Sequence, residues 1–184
     1  MAASIYRQSI DKQRIILVGA HRALIAQLAQ HVLSENQRKF DLYKDGQPVI
    51  TASEAPVAII EATDQWAEYQ HHILVISEVP GANEVEKIAD ATPKGGIIIY
   101  PENNKALKVI GSRERPDVQA IGYAAYKHEV KNGQIFLITS TNEKFPVALT
   151  TETELLCLGA TRELLKKIGI SSGQFYRAAS TFKR

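Results

Sequence analysis

The sequence predicts an α/β fold: three layers, with a mostly parallel sheet carrying helices on both faces and a small antiparallel β ribbon in the C-terminal half. Three observations predict it. Continuously apolar, β-branched runs recur at Ile15 to Val18, Pro56 to Ala62, His72 to Glu78 and Gly95 to Tyr100, as expected for strands covered on both faces. Helix-patterned segments separate these runs, the alternation from which parallel sheets are built. After Asp117 the pattern changes to strand, turn, strand, with Asn132-Gly133 at a hairpin.

Taken in order, the first thirteen residues are polar and read as a flexible lead-in, leaving residues 14–184 as a single domain. Arg14 to Val18 is a short buried strand. From His21 to Leu33 the apolar residues Leu24, Ile25, Leu28, Val32 and Leu33 fall three and four apart, which marks a helix with one buried stripe. Lys44-Asp45-Gly46 is a turn, and Pro48 to Ile50 is an edge strand. Two buried strands follow, then a short helix over Asn83 to Ala91, a strand opened by Gly95-Gly96, and a helix over Asn103 to Ile110. DVQAIGYAAYKHEV and QIFLITS read as the two arms of a hairpin that extends or flanks one edge of the sheet, and KFPVAL as a third strand. Glu152 to Ile168 is a helix with Thr151 and Glu154 placed for a capping box and Gly169 as its stop signal. Ser171 or Ser172 starts a last helix in which Phe175 and Tyr176 are buried anchors.

The chain has 184 residues, 45% hydrophobic and 23% charged, a composition that suits one globular domain able to bury a core. A net charge of +2 gives no reason to expect nucleic acid or an anionic membrane as partner. No apolar run is long enough to span a bilayer, and MAASIYRQSIDKQR lacks the apolar centre of a secretory signal. The single cysteine, Cys157, rules out an internal disulfide and a cysteine-based zinc cluster, and lies in an apolar helix pattern without a histidine nearby in sequence. A cytoplasmic location is expected.

The segment ATRELLKKIGISSGQFYRAASTFK (residues 160–183) resembles the end of the central, ATP-binding domain of Mur ligases, above all the muramate–alanine and murein-tripeptide ligases, where a "FYxAISTFKG" helix closes the domain. The likeness continues upstream in order. IILVGAH is similar to the strand and loop "VTGTHGKT", VAIIEATDQ to "IIEADEYD", ILVISEV to the strand leading to "NIxxDH", GGIIIYPENNKAL to "GGLLVxNxDDPxL", and PVAL to the segment before "GEHNxxN". The resemblance implies a P-loop-like α/β domain, with the UDP-sugar domain and the C-terminal domain of such ligases expected to be absent from this chain.

In that family the loop cradles ATP phosphates with its N–H groups, a lysine reaches the β/γ-phosphates and a hydroxyl holds Mg²⁺. Here the corresponding residues are Gly19, Ala20, His21, Arg22, Ala23 and Leu24, followed by Ile25. Arg22 stands at the second glycine, Ala23 at the lysine, and Leu24 and Ile25 at the hydroxyls. Glu61 matches an acidic residue associated with Mg²⁺, and Asp64 is placed to imitate the next acid. The "DH" histidine has no counterpart in SEVPGANE, and His71 and His72 precede their strand and read as its polar entrance. At "GEHNxxN" the chain has Thr151 to Cys157, without the histidine or either asparagine.

The resemblance therefore implies a vestigial phosphate loop, no catalytic residues, and no metal ligand beyond the vestigial candidate Glu61. No cofactor is expected. The leading reading is a non-catalytic binding or regulatory module related to peptidoglycan metabolism, with an unidentified protein partner or a second copy of itself. The alternative is a reduced ligase or ATPase using Arg22 and Glu61, with ATP, Mg²⁺ and the missing domains supplied in trans. A generic α/β domain binding another small ligand is the third reading.

Overall fold

The computed structural model describes residues 2–63, 66–79 and 81–183. In chain order these form α1 (Ala2–Gln8), β1 (Gln13–Val18), α2 (Arg22–Glu35), β2 (Asp41–Lys44), β3 (Gln47–Ile50), β4 (Val57–Glu61), a 3₁₀ turn (Trp66–Tyr69), β5 (Ile73–Ile76), α3 (Ala82–Asp90), β6 (Ile97–Pro101), α4 (Lys105–Ser112), β7 (Gln119–Tyr123), β8 (His128–Lys131), β9 (Gln134–Ile138), β10 (Lys144–Val147), α5 (Glu152–Lys167) and α6 (Ser172–Thr181). Seven strands make one sheet in the order β3-β2-β4-β1-β5-β6-β7. Every neighbouring pair is parallel except β2 with β3. The remaining three form an antiparallel sheet, β10-β9-β8.

The apolar strands sort their side chains with period two. Ile15 and Leu17 of β1, Val57 and Ile59 of β4, and Ile73 and Val75 of β5 pack on one face, under α2, α5 and α6. Ile16 and Val18, Ala58 and Ile60, and Leu74 and Ile76 pack on the other, under α1, α3 and α4. This double burial is why the central strands read as unbroken hydrophobic runs. The ribbon joins the first face through Ile135, Leu137 and Val147.

Local signals set the helix ends. Thr151 accepts the Glu154 N–H while the Glu154 carboxylate accepts the Thr151 N–H, a complete capping box at the start of α5. Ser171 and Gln174 repeat the device on α6. Gly169, with φ +83°, stops α5 in a conformation that suits glycine.

Four features depart from the sequence reading. The lead-in is not structureless: Ala2–Gln8 is helical and buries Ala2 and Ile5 against the second face, a stripe too short to stand out by periodicity. β2 has no counterpart in the sequence reading because only Leu42 and Tyr43 are apolar between Asp41 and Lys44. The Asp41 carboxylate is buried, paired with Lys12 Nζ at 2.5 Å and accepting the Ala52 N–H at 3.0 Å. The segment that reads as one hairpin arm is two strands in two sheets: β7 closes the parallel sheet against β6, and β8 opens the ribbon. Between them the Ala124 carbonyl passes so close to Gly159 of α5 that a Cβ there would collide with it. Finally, His71 is a core residue rather than a polar strand entrance. It is 1% exposed, with Nε2 2.9 Å from Thr92 Oγ1.

Candidate functional site

β1 is flanked by β4 on one side and β5 on the other, so the chain crosses over it at the centre of the sheet. The carboxyl ends of strands at such a switch point form the crevice where open α/β sheets place ligands. The turn after β1, the segment after β5 and the end of β4 meet there. They enclose a cleft of about 310 Å³ lined by Gly19, Ala20, Arg22, Ala62, Thr63 and Glu84, among others.

The turn itself is closed by its own bonds. Gly19 has φ +101°, and a Cβ on it would come within 2.5 Å of Ser77 Oγ and 2.6 Å of the Glu78 carbonyl. Only glycine fits both the conformation and the space. The Ala20 N–H donates to the Glu78 carbonyl at 2.5 Å, the His21 N–H to Ser77 Oγ at 3.2 Å, and the Arg22 N–H to the Gly19 carbonyl at 3.4 Å. Ser77 Oγ in turn donates to the Val18 carbonyl at 2.8 Å. His21 Nε2 lies 3.1 Å from the Glu78 carboxylate, a second strap across the same gap. Three successive N–H groups of the loop thus have protein acceptors.

At the start of α2, His21 occupies the N-cap position without a side-chain cap bond. Ala23 offers no functional group, Leu24 packs against the core and Ile25 is buried in it. Arg22 bends back, with Nη1 donating to the Gly19 carbonyl at 3.0 Å. Its Nε is buried with no hydrogen-bond partner among the described residues.

Glu61 ends β4 on the same face as Val57 and Ile59, beside the first turn of α2. It is 6% exposed, and burial pushes its pKa above the ordinary carboxylate value. The positive charges of Lys44 and Arg22 oppose that shift, while Asp45 adds to it. Glu61 forms no ion pair with Arg22 and no hydrogen bond through its carboxylate to a described residue. Asp64, the other acid the sequence singles out, lies outside the described residues.

The structure brings Gly19 to Leu24 and Glu61 to one place and leaves Cys157 elsewhere. Cys157 is buried in α5, where loss of hydration and the Glu154 carboxylate push its pKa up to about 12. A thiol held protonated in this way is a poor nucleophile. Among the described residues no group of three His, Cys, Asp or Glu side chains is placed to hold a metal ion, and no helix is long and apolar enough to cross a membrane. Sequence reasoning missed Ser77 and Glu78, the two residues that close the loop. Nothing but their position after a buried strand marks them.

Neither a family model nor a curated protein sequence matches the chain. Solved structures do match in fold. The UDP-N-acetylmuramoylalanyl-D-glutamyl-2,6-diaminopimelate–D-alanyl-D-alanyl ligase of Acinetobacter baumannii superposes with TM-score 0.78 at 12% identity, over 99% of this chain and 48% of its own. A murein peptide ligase of Psychrobacter arcticus gives 0.76 at 11%, over 98% and 49%. The UDP-N-acetylmuramate–alanine ligase of Thermotoga maritima gives 0.69 at 11%, over 98% and 47%. The chain thus spans about half the length of these ligases, and its fold is the Mur ligase central-domain-like fold that the sequence resemblance implies.

Proposed function

We propose that this chain is a non-catalytic relative of the Mur ligase central domain, a binding or regulatory module connected with peptidoglycan metabolism, whose nucleotide site has been lost. One observation carries the reading: the N–H groups of Ala20, His21 and Arg22 donate to Glu78, Ser77 and Gly19 of the protein itself. A phosphate-binding loop works by aiming such groups at the ligand. Here a phosphate would have to displace three internal acceptors and would find no lysine at Ala23. Leu24 and Ile25, turned into the core, offer no hydroxyl to Mg²⁺. Phosphoryl transfer depends on positioning and electrostatics nearly throughout, so loss of these groups together removes the chemistry. The cytoplasmic face of cell-wall synthesis is the setting this ancestry suggests, with an unidentified protein or a second copy as the partner.

Calorimetric titration of the purified chain with MgATP and with MgADP tests the reading. Absence of saturable heat is expected for both, and micromolar binding of either would overturn it.

A further inference from the structure

Arg162 of α5 is 7% exposed and makes no ion pair with a described residue. Its Nη2 donates to Ser172 Oγ at 2.7 Å, while Nε and Nη1 are buried with no hydrogen-bond partner among the described residues. The guanidinium lies over the Phe175 ring, 5.4 Å from its centroid, and its charge reaches the Tyr126 phenol. None of these neighbours is an acid, and the acid next in sequence, Glu163, is paired with Lys166. A buried charge in neutral surroundings is costly, and such charges are ordinarily paired.

Ser172 opens α6, so this guanidinium is aimed at a helix N-terminus. The capping box there uses the N–H groups of Ser171 and Gln174. Those of Ser172 and Gly173, at the first two helical positions, have no acceptor among the described residues, and both residues are exposed. Arg177 reaches back to the same turn, with Nη1 3.8 Å from where a Cβ on Gly173 would stand. The first turn of α5 holds Glu152 and Glu154, whereas that of α6 holds no acidic residue. The positive end of the helix dipole and two guanidiniums thus converge without a compensating charge.

We propose that the N-terminus of α6 binds a phosphate-type oxyanion, held by the Ser172 and Gly173 N–H groups, the Ser172 hydroxyl, Arg162 and Arg177. Free N–H groups at a helix start point at such a ligand. Ser172 Oγ accepts from Arg162 and keeps its own proton to donate. Guanidinium forks match phosphate oxygens, and a doubly charged oxyanion balances two of them where a carboxylate brings a single charge. The phosphate is inorganic or belongs to a monoester. The site is separate from the loop after β1. Ile168, just before α6, lines a hollow with Gln13, Pro56 and Val57 at the amino ends of β1 and β4, and the loop lies at the carboxyl end of β1.

The test is an amide chemical-shift titration of the intact chain with inorganic phosphate and, separately, with phenyl phosphate. Acetate and chloride at matched ionic strength are the controls. Saturable shifts at Ser172 and Gly173 are expected, with a dissociation constant below about 1 mM for at least one phosphate and at least about tenfold weaker binding of acetate. The tighter titrant tells the free ion from the ester. Arg162→Gln is expected to weaken binding about tenfold, and Arg177→Gln and Ser172→Ala about threefold each. The last two change exposed side chains and keep the test open if Arg162→Gln does not fold. Absence of saturable shifts at Ser172 and Gly173, equal shifts with chloride, or unchanged affinity in the folded variants overturns the inference while the emptied-site reading stands. Saturable phosphate shifts at Ala20, His21 and Arg22 instead overturn both.

Discussion

Ser77 Oγ joins two separate pieces of backbone, donating to the Val18 carbonyl at 2.8 Å and accepting the His21 N–H at 3.2 Å. The end of β5 thereby holds the turn that follows β1. Ser77→Ala leaves the His21 N–H without its acceptor, whereas the Val18 carbonyl keeps the Ser77 N–H at 2.9 Å. The expected cost is about 1 kcal/mol by urea unfolding, together with faster hydrogen exchange at His21. Unchanged exchange there would argue that the turn is held by other contacts.

Gly159 lies where the Ala124 carbonyl crosses α5. Gly159→Ala gains helix propensity, worth up to about 1 kcal/mol, but forces a methyl into that carbonyl. Overpacking of this kind costs roughly 1–3 kcal/mol, and the collision outweighs the gain because the obstacle is backbone. Net destabilisation is expected in chemical denaturation, where a neutral or stabilising result would show that the 124–127 segment gives way freely.

His71 makes stability depend on pH. Burial, with His72 and Arg14 adding nearby positive charge, pulls its pKa down to about 4 from the ordinary 6.5. The unfolded chain therefore takes up a proton there before the folded chain does. Its contribution is fully present above the unfolded value of about 6.5 and is lost as pH falls from there to about 4, amounting to roughly 3 kcal/mol. His72 shifts in the same direction. Urea midpoints measured across that window should fall, and His71→Leu should flatten the slope.

Glu61 acts with the opposite sign. Its folded pKa is raised, chiefly by burial, so ionisation weakens the fold as pH rises through the carboxylate range. Glu61→Gln keeps the shape and removes the charge. It is expected to raise the urea midpoint at neutral pH, with the gain shrinking toward about pH 4. A lower midpoint at neutral pH would show that the carboxylate is instead held favourably.

The central sheet was legible because each inner strand is buried on both sides, which writes itself as a run such as Ile15 to Val18. The capping box at Thr151 and Glu154 was legible because both partners lie within one turn. The missed features depend on partners far away in sequence. Asp41 is accommodated in β2 by Lys12 and Ala52. Residues 119–131 divide between two sheets where the backbone at Ala124 meets Gly159. His71 is buried beside Thr92. At the candidate site the replaced residues of the loop were visible in GAHRALI. What closes it, the Ser77 hydroxyl and the Glu78 carbonyl, is tertiary and left no local pattern.

The most direct measurement is an amide chemical-shift titration of the isotope-labelled chain with MgATP, followed at Ala20, His21 and Arg22. These N–H groups already have acceptors at Glu78, Ser77 and Gly19, so their resonances should stay in place up to millimolar nucleotide. Saturable shifts at those three amides, with a dissociation constant in the micromolar range, would contradict the account.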